Sequence, residues 1–149
     1  NDREVMEAIT NMYRAVGLNV KLRMLEVGVY QGFRDKPFPK NVPPYLMQNQ
    51  HDNTAGDAVF TVFAKYHCKG AGSPICDEQL DQLIEKATVS TGEERRKLWQ
   101  AAFKSIHEEL VPDVMMYHMV GYCRVGKRIN FKPSVALNSE VQVANITFK

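Results

Sequence analysis

The sequence lacks several features that would place it quickly in a functional class. No apolar run reaches the roughly 18 consecutive residues that a membrane-spanning helix needs. No phosphate-binding glycine loop, Gly-x-Ser-x-Gly nucleophile elbow or His-Glu-x-x-His metal motif is present. Cys123 and His118 could in principle form a nucleophile and base, but at this spacing on one strand they would face opposite sides. We therefore expect no enzyme activity, no cofactor and no metal.

A strong charge imbalance is also missing. The net charge is only +2, whereas a nucleic-acid surface normally carries a concentrated basic excess, so we expect no nucleic-acid partner. The short basic run at 95–97 is interpreted as a solvated helix face. The chain opens on Asn1 with neither an initiator methionine nor a signal-peptide pattern, which is expected of a mature product or an excised fragment.

Cysteine is scarce, with three residues in the chain. Cys68 and Cys76 flank a turn-rich stretch that can bring its ends together. A disulfide there would close a short loop and stabilise the fold by roughly 2.5 kcal/mol, but two unrelated thiols fit the spacing equally well. His67 beside Cys68 suggests a metal ligand, yet the spacing matches no familiar four-ligand zinc pattern.

Apolar residues recur at helical spacing in several segments and predict helices there. The first helix is expected to be capped by Asn1 or Asp2, to carry an apolar stripe at helical spacing and to stop at Gly17. In the predicted helix that starts at Thr91, Thr91 and Glu94 have the spacing of a capping box. The other predicted helices are a short piece within 26–36, Ala58–Phe63, Asp77–Ala87 and a segment from Thr91 that Pro112 stops.

Alternating or continuous apolar residues predict strands between these helices. Asn19–Met24 alternates apolar and polar residues, and Val114–Val120 is apolar enough to be a buried strand. A helix, a glycine and an alternating strand in succession indicate an α/β architecture. Further short strands are expected at Tyr45–Asn49, near Tyr122–Val125 and within Val141–Phe148.

Several short segments, taken in order, resemble a known family. The matching segments are Val16-Gly17-Leu18-Asn19-Val20, Asp81-Gln82-Leu83-Ile84-Glu85-Lys86-Ala87, Glu94-Arg95-Arg96-Lys97-Leu98-Trp99, Glu109-Leu110-Val111-Pro112-Asp113-Val114 and Arg124-Val125-Gly126-Lys127-Arg128-Ile129-Asn130-Phe131. The series resembles family 5 of the extracytoplasmic solute-binding proteins, which bind peptides, nickel or oligopeptides for ABC importers. It covers nearly the whole chain.

The resemblance implies a fold and a transport function. The expected fold is a C-terminal lobe fragment of the periplasmic-binding-protein type (type II, cluster C), α/β with a mixed sheet flanked by helices. Residues 1–120 would form part of the ligand-binding lobe, and residues 121–149 the tail that returns toward the first lobe. The implied role is to bind a peptide-like or related small solute and deliver it to a membrane permease. The implied location is periplasmic or extracytoplasmic, as a membrane-anchored lipoprotein in a Gram-positive cell.

The resemblance also implies site residues. Peptide-binding relatives hold the ligand's α-amino group with an aspartate in the loop that here spans 51–57, since a buried cation needs a carboxylate partner. Asp52 is the first candidate and Asp57 the second, and either could instead be a turn or cap residue. Asn49 could line a polar wall, and His51 could add a polar contact or act as a metal ligand. A cysteine pair in the dipeptide-binding branch matches Cys68 and Cys76, which implies a disulfide.

A second hypothesis belongs to a different class. The chain could be a stand-alone α/β interaction or regulatory domain without a transport role, because glycine and proline punctuation is common in many folds.

Overall fold

The computed structural model describes residues 2–51, 56–118, 120, 122–133, 141 and 143–149. The chain separates into two compact units, Asn1–Gln50 and His51–Lys149. The first contains helices α1 (Asp2–Ala15) and α2 (Val27–Arg34). The second contains α3 (Ala58–Tyr66), α4 (Glu78–Val89), α5 (Gly92–Lys104), a π-helical turn (Ser105–Leu110), strand β1 (Ile129–Asn130), a 3-10 turn (Val143–Asn145) and strand β2 (Thr147–Phe148).

The α/β prediction is wrong for the part of the chain that is described. Its one sheet consists of two antiparallel strands of two residues each, with Ile129 opposite Phe148 and Asn130 opposite Thr147. Helices make up most of the regular structure. A mixed sheet flanked by helices, as expected for a solute-binding lobe, is therefore not the architecture of these residues.

The first unit is built on two helices with little burial. In α1, Asp2 and Glu4 lie in the first turn, where acidic side chains favour the positive helix end. Gly17, at a φ of 90°, follows the end of the helix as predicted. The apolar stripe of α1 is buried only in part, since Val5 and Ile9 are half-buried whereas Met12 and Val16 are exposed.

Residues after α1 do not form the predicted strand. The carbonyl oxygen of Val20 accepts hydrogen bonds from the Arg14 guanidinium at 3.1 and 3.0 Å, so it is not paired with a neighbouring strand. The predicted short helix around Phe33 is present as α2. Tyr45 packs edge-on against Phe33 at 5.2 Å and donates its hydroxyl to the Phe33 carbonyl, in place of the strand predicted at 45–49.

The second unit holds the hydrophobic core, where α3, α4 and α5 pack together. The buried residues come from one face of each helix, as the apolar spacing of α4 and α5 predicts. They are Val62, Tyr66, Leu80, Ile84, Ala87, Trp99, Ala102 and Ile106. Burying such side chains contributes about 1.5–3 kcal/mol for each large aliphatic or aromatic residue, so these helices supply most of the stability of this unit.

The helix ends in this unit have different causes. The side chain of Asp77 caps α4 by accepting the Leu80 amide at 2.7 Å. The capping box predicted at Thr91 is wrong, because its side chain makes no capping hydrogen bond. The last helical stretch ends at Val111, whose left-handed backbone (φ 41°) precedes Pro112. A β-branched residue rarely adopts this conformation, and it turns the chain sharply out of the helix.

The buried strand predicted at Val114–Val120 is also wrong for the described residues of that span, outside which Met119 lies. Val114, Met115, Met116 and Tyr117 form no regular structure and are all more than half exposed. The described residues near Tyr122–Val125 are irregular as well, and within Val141–Phe148 only β2 is a strand. An apolar run becomes a strand only if another strand supplies its backbone partners, and none of the described residues does so here.

Candidate functional site

Asp57 lies immediately before α3 and caps it. Its Oδ1 accepts the Val59 amide at 2.9 Å, and both carboxylate oxygens accept from Nη2 of Arg95 at 2.7 Å. The Val59 hydrogen bond is the largest influence that lowers the pKa of the Asp57 carboxyl, and Arg95 lowers it further against an opposing contribution from burial. The carboxylate is therefore charged and already has two partners. A ligand ammonium would have to compete with Arg95 for it.

Arg95 connects three parts of the helical core. Besides Asp57, its Nη1 donates to the carbonyl oxygens of Ala87 and Thr88, at the end of α4, at 2.8 and 3.1 Å. Its guanidinium also lies 5.7 Å from the centroid of the Trp99 ring, within the range of a cation–π contact. The neighbouring residues 96–97 are exposed. The interpretation of the basic run as a solvated face thus fits those two residues and fails for Arg95.

His51 and Asn49 are both exposed, and they lie in different units. His51 Nδ1 is 3.2 Å from the hydroxyl of Thr61 on α3. Asn49 Oδ1 accepts from the Tyr30 hydroxyl at 3.4 Å, a hydroxyl that also donates to the Gln48 carbonyl at 3.1 Å. Each polar side chain is thus held by its own unit. Asp52, the first candidate for the ligand carboxylate, lies outside the described residues.

Cys68 and Cys76 form a disulfide, with their Cα atoms 4.4 Å apart, and Cys123 is free and exposed. The loop that they close packs against the end of α3. Gly72 donates its amide to the Ala64 carbonyl at 3.0 Å. A Cβ at Gly70 would overlap the backbone carbonyls of Phe63 and Ala64, so only glycine fits there. The disulfide loop therefore caps α3 with backbone groups.

A buried histidine lies beside this disulfide. His67 is 1% exposed and stacks on Phe63 at 4.3 Å between ring centroids. Its Nδ1 accepts the Lys69 amide at 3.0 Å, which leaves Nε2 as the nitrogen that carries hydrogen. Nε2 faces Glu85 at 3.3 Å and Asp81 at 3.6 Å. These contacts hold the imidazole in one orientation.

The His67, Asp81 and Glu85 group, the His67 cluster, ties the disulfide loop to α4. Asp81 also accepts the Cys68 amide at 3.0 Å, and it is four residues from Glu85, so both carboxylates lie on one helix face. The imidazole itself is only 1% exposed, so these contacts hold the disulfide loop against α4. Among the described residues no group of three or more His, Cys, Asp or Glu side chains suits a metal ion.

A shallow groove occurs in the first unit. It has a volume of about 190 Å³ and is lined by Glu7, Thr10, Asn11, Arg14 and Leu22. It is smaller than the roughly 300–1,000 Å³ usual for small-molecule sites. Its guanidinium, that of Arg14, is already bound to the Val20 carbonyl. The groove contains none of the residues predicted to bind ligand.

The sequence-based predictions missed two groups of side chains, namely Arg95 with its contacts and the His67 cluster. Arg95 could have been recognised from the apolar face around it, since it lies four residues before Trp99 on the same side of a helix. Asp81 and Glu85 share a similar spacing on α4. His67 gave no comparable indication, because its burial depends on the turn that the disulfide loop makes.

The described helices include none long and apolar enough to cross a membrane.

Comparison with known proteins gave no match of any kind: no family model, no curated protein and no solved structure is similar to this chain.

Proposed function

We propose that the chain is part of the substrate-binding component of an ABC importer and binds a peptide-like or related small solute for a membrane permease. The observation that supports the proposal best is the Cys68–Cys76 disulfide. The resemblance to dipeptide-binding proteins implies a bonded cysteine pair at this place, just before the helix that contains Asp81. The helical architecture does not support the proposal, which rests on the ordered series of matching segments and on this bond.

The disulfide also supports an exported location. Disulfides form and persist in oxidising compartments and are rare in the cytosol. Intact mass after alkylation without reductant, in cell fractions prepared under acid quench, tests this part of the proposal. We expect one alkylated thiol, Cys123, in the natural compartment. Three alkylated thiols would contradict an exported location.

The ligand group proposed to bind is a free α-amino group, and Asp52 is proposed to hold it. Asp57 is the weaker candidate, because Val59 and Arg95 already occupy its carboxylate. Removing the carboxylate from an enclosed ammonium–carboxylate pair costs roughly 2–5 kcal/mol. In a protein that encloses its ligand between two lobes, Asp52→Asn is therefore expected to weaken binding by about 30- to 4000-fold.

The test on this chain is a titration of the 15N-labelled protein with di- to pentapeptides, each compared with its N-acetylated form. Binding is expected to be weak, because the ligand would be covered on one side only and would keep part of its water. Free-amine peptides should shift amide resonances around His51, and acetylated peptides should not. Asp52→Asn should abolish the shifts, and Asp57→Asn should retain them as the matched control. No shift with any free-amine peptide, or equal shifts with both forms, would contradict the proposal.

A second candidate function is an interaction domain without a transport role. The observation that favours it is the exposed apolar run at 114–117 in a helical unit, since contiguous exposed apolar residues mark interaction surfaces. This candidate predicts no response to peptides of either form in the same titration.

A further inference from the structure

The segment Val114–His118, called here the exposed segment, has the composition of a strand but pairs with none of the other described residues. Val114, Met115, Met116 and Tyr117 are 65, 59, 54 and 56% exposed. These five residues make no backbone or side-chain hydrogen bond to any other described residue. Unpaired amides and carbonyls beside apolar side chains are a template for pairing with another chain. The exposed segment therefore has both the backbone groups and the apolar surface of an open strand.

Its flanks carry opposite charges. Glu108, Glu109 and Asp113 precede the exposed segment, and the first two are exposed. Arg124, Lys127 and Arg128 follow it and are exposed as well, and no acidic residue occurs from 114 to 139. The chain thus changes from acidic to basic across a short apolar run. This order of charges along the chain favours one direction of strand pairing over the other.

We propose that the exposed segment pairs antiparallel with the exposed segment of a second copy of this chain. In an antiparallel pair the acidic flank of one copy lies beside the basic flank of the other, at both ends. A parallel pair would bring like charges together at each end. The antiparallel arrangement has two-fold symmetry and uses the same surface on both copies, so it closes as a dimer. It also gives hydrogen-bond partners to the alternate amides and carbonyls that face the other strand, and it covers part of the apolar side chains through cross-strand contacts.

The start of the segment is held firmly enough to support pairing. The hydroxyl of Tyr66, which is buried in the core, donates to Asp113 Oδ2 at 2.6 Å. Burial first, and then this hydrogen bond, raise the pKa of Tyr66, so the phenol keeps its proton and remains a donor. Asp113 is thus anchored to α3. Less conformational freedom is lost on pairing when one end of a strand is already fixed.

The dimer is expected to be weak and dependent on concentration. Two five-residue strands and their flanks bury less than the roughly 1,200 Å² of a standard interface. Sedimentation velocity of the full 149-residue chain from about 10 µM to 1 mM should therefore show a shift from 17.0 kDa toward twice that mass. A chain that stays monomeric over this range overturns the proposal, as does association that continues beyond two copies.

A matched pair of variants tests the backbone pairing. The double change Met115→Pro and Met116→Pro removes two adjacent amides, one of which faces the partner strand in either register, whereas the double change to alanine keeps both amides. Circular dichroism of both variants should match that of the wild type, since both positions are exposed. We expect the proline variant to remain monomeric and the alanine variant to dimerise. Equal association of the two variants would overturn pairing through this segment.

A charge exchange tests the direction of pairing. Glu109→Arg and Arg124→Glu each place like charges together at both ends of the symmetric pair, and each should weaken dimerisation by about tenfold. An equal mixture of the two variants restores opposite charges at both ends of a heterodimer. We expect the mixture to dimerise about as well as the wild type. Failure of the mixture to exceed either variant alone would overturn the antiparallel arrangement.

Discussion

Two neighbouring regions of the second unit differ in how their apolar residues are used. From α3 to the π-helical turn, apolar residues lie on one face of each helix and are buried, with Leu80 and Ile84 fully inaccessible. From Val114 to Tyr117 the chain is just as apolar, but its side chains are more than half exposed. A helix makes its backbone hydrogen bonds within itself and can pack its apolar face against a neighbouring helix. A strand needs another strand as the partner for its backbone hydrogen bonds. The same hydrophobicity therefore yields a core in one region and an open surface in the other.

The largest expected change in the free energy of unfolding comes from truncating a side chain in each of the two regions. Leu80→Ala removes atoms from a fully buried site and should lower the free energy of unfolding by about 2–5 kcal/mol. Met116→Ala, the matched control in the exposed segment, should change it by less than about 0.5 kcal/mol. Urea denaturation followed by Trp99 fluorescence measures both, at a protein concentration where the chain is monomeric. Comparable losses for the two variants would remove the distinction between the regions.

The next effect concerns the cysteines of the two regions. Replacing Cys68 and Cys76 together by serine opens the loop that caps α3 and should cost roughly 2.5 kcal/mol on the chain-entropy model. Cys123→Ser, in the exposed region, should have almost no effect, since Cys123 is free. Thermal melts of both variants and of the reduced wild type provide the measurement. A double variant as stable as the wild type would show that the backbone contacts of the loop suffice without the bond.

Replacing one glycine from each region by alanine compares the packing of the two regions with the addition of a single methyl group. Gly70→Ala places a methyl group against backbone carbonyls of α3 and should destabilise by about 1–3 kcal/mol. Gly126→Ala meets nothing within 4 Å and has no unusual φ, so it should be neutral or slightly stabilising. Denaturant midpoints at equal slope compare the two. A neutral Gly70→Ala would mean that the loop does not pack against α3 as described.

The smallest effect separates two roles of Asp57. Asp57→Ala removes both the cap of α3 and the contact with Arg95 and should cost about 1–2 kcal/mol. Asp57→Asn keeps a capping oxygen and should cost less, about 0.2–1 kcal/mol, because a partly exposed ion pair contributes little.

The pH dependence of Asp57→Asn has a definite sign. The folded pKa of Asp57 is below its ordinary value of 3.8. The stability that the charge contributes is therefore present above pH 3.8 and is lost as pH falls through the lower folded pKa. Urea denaturation of the wild type and the variant from pH 7 down to acid should show the difference shrinking only at the acid end. A constant difference across that range would contradict the lowered pKa.

The sequence was sufficient for the helices and insufficient for the strands. The apolar spacing of α4 and α5 predicted both helices, and Pro112 predicted where the helical stretch stops, because helix formation depends on residues close in the chain. Val114–Val120 has the composition of a strand, but a strand forms only with a partner distant in sequence. The α/β prediction failed for that reason.

The candidate site was predictable to a smaller extent. The disulfide was implied by the resemblance and is present. The role of Arg95 depends on where α3, α4 and α5 meet, which local patterns do not contain. His67 is buried by a turn whose geometry depends on Gly70 and the disulfide. Asp52, which the proposed function relies on, remains a prediction from sequence.

Amide hydrogen exchange on the dilute, monomeric chain tests the contrast between the two regions most directly. Amides around Leu80, Ile84 and Ala102 are expected to exchange only through global unfolding, and those of Met115 to His118 at rates near those of an unstructured peptide. Raising the concentration into the range of the proposed dimer should slow exchange at 115–118 alone. Protection of Met115 to His118 at high dilution, comparable with that of α4, would mean that this segment is a buried strand and would contradict the account.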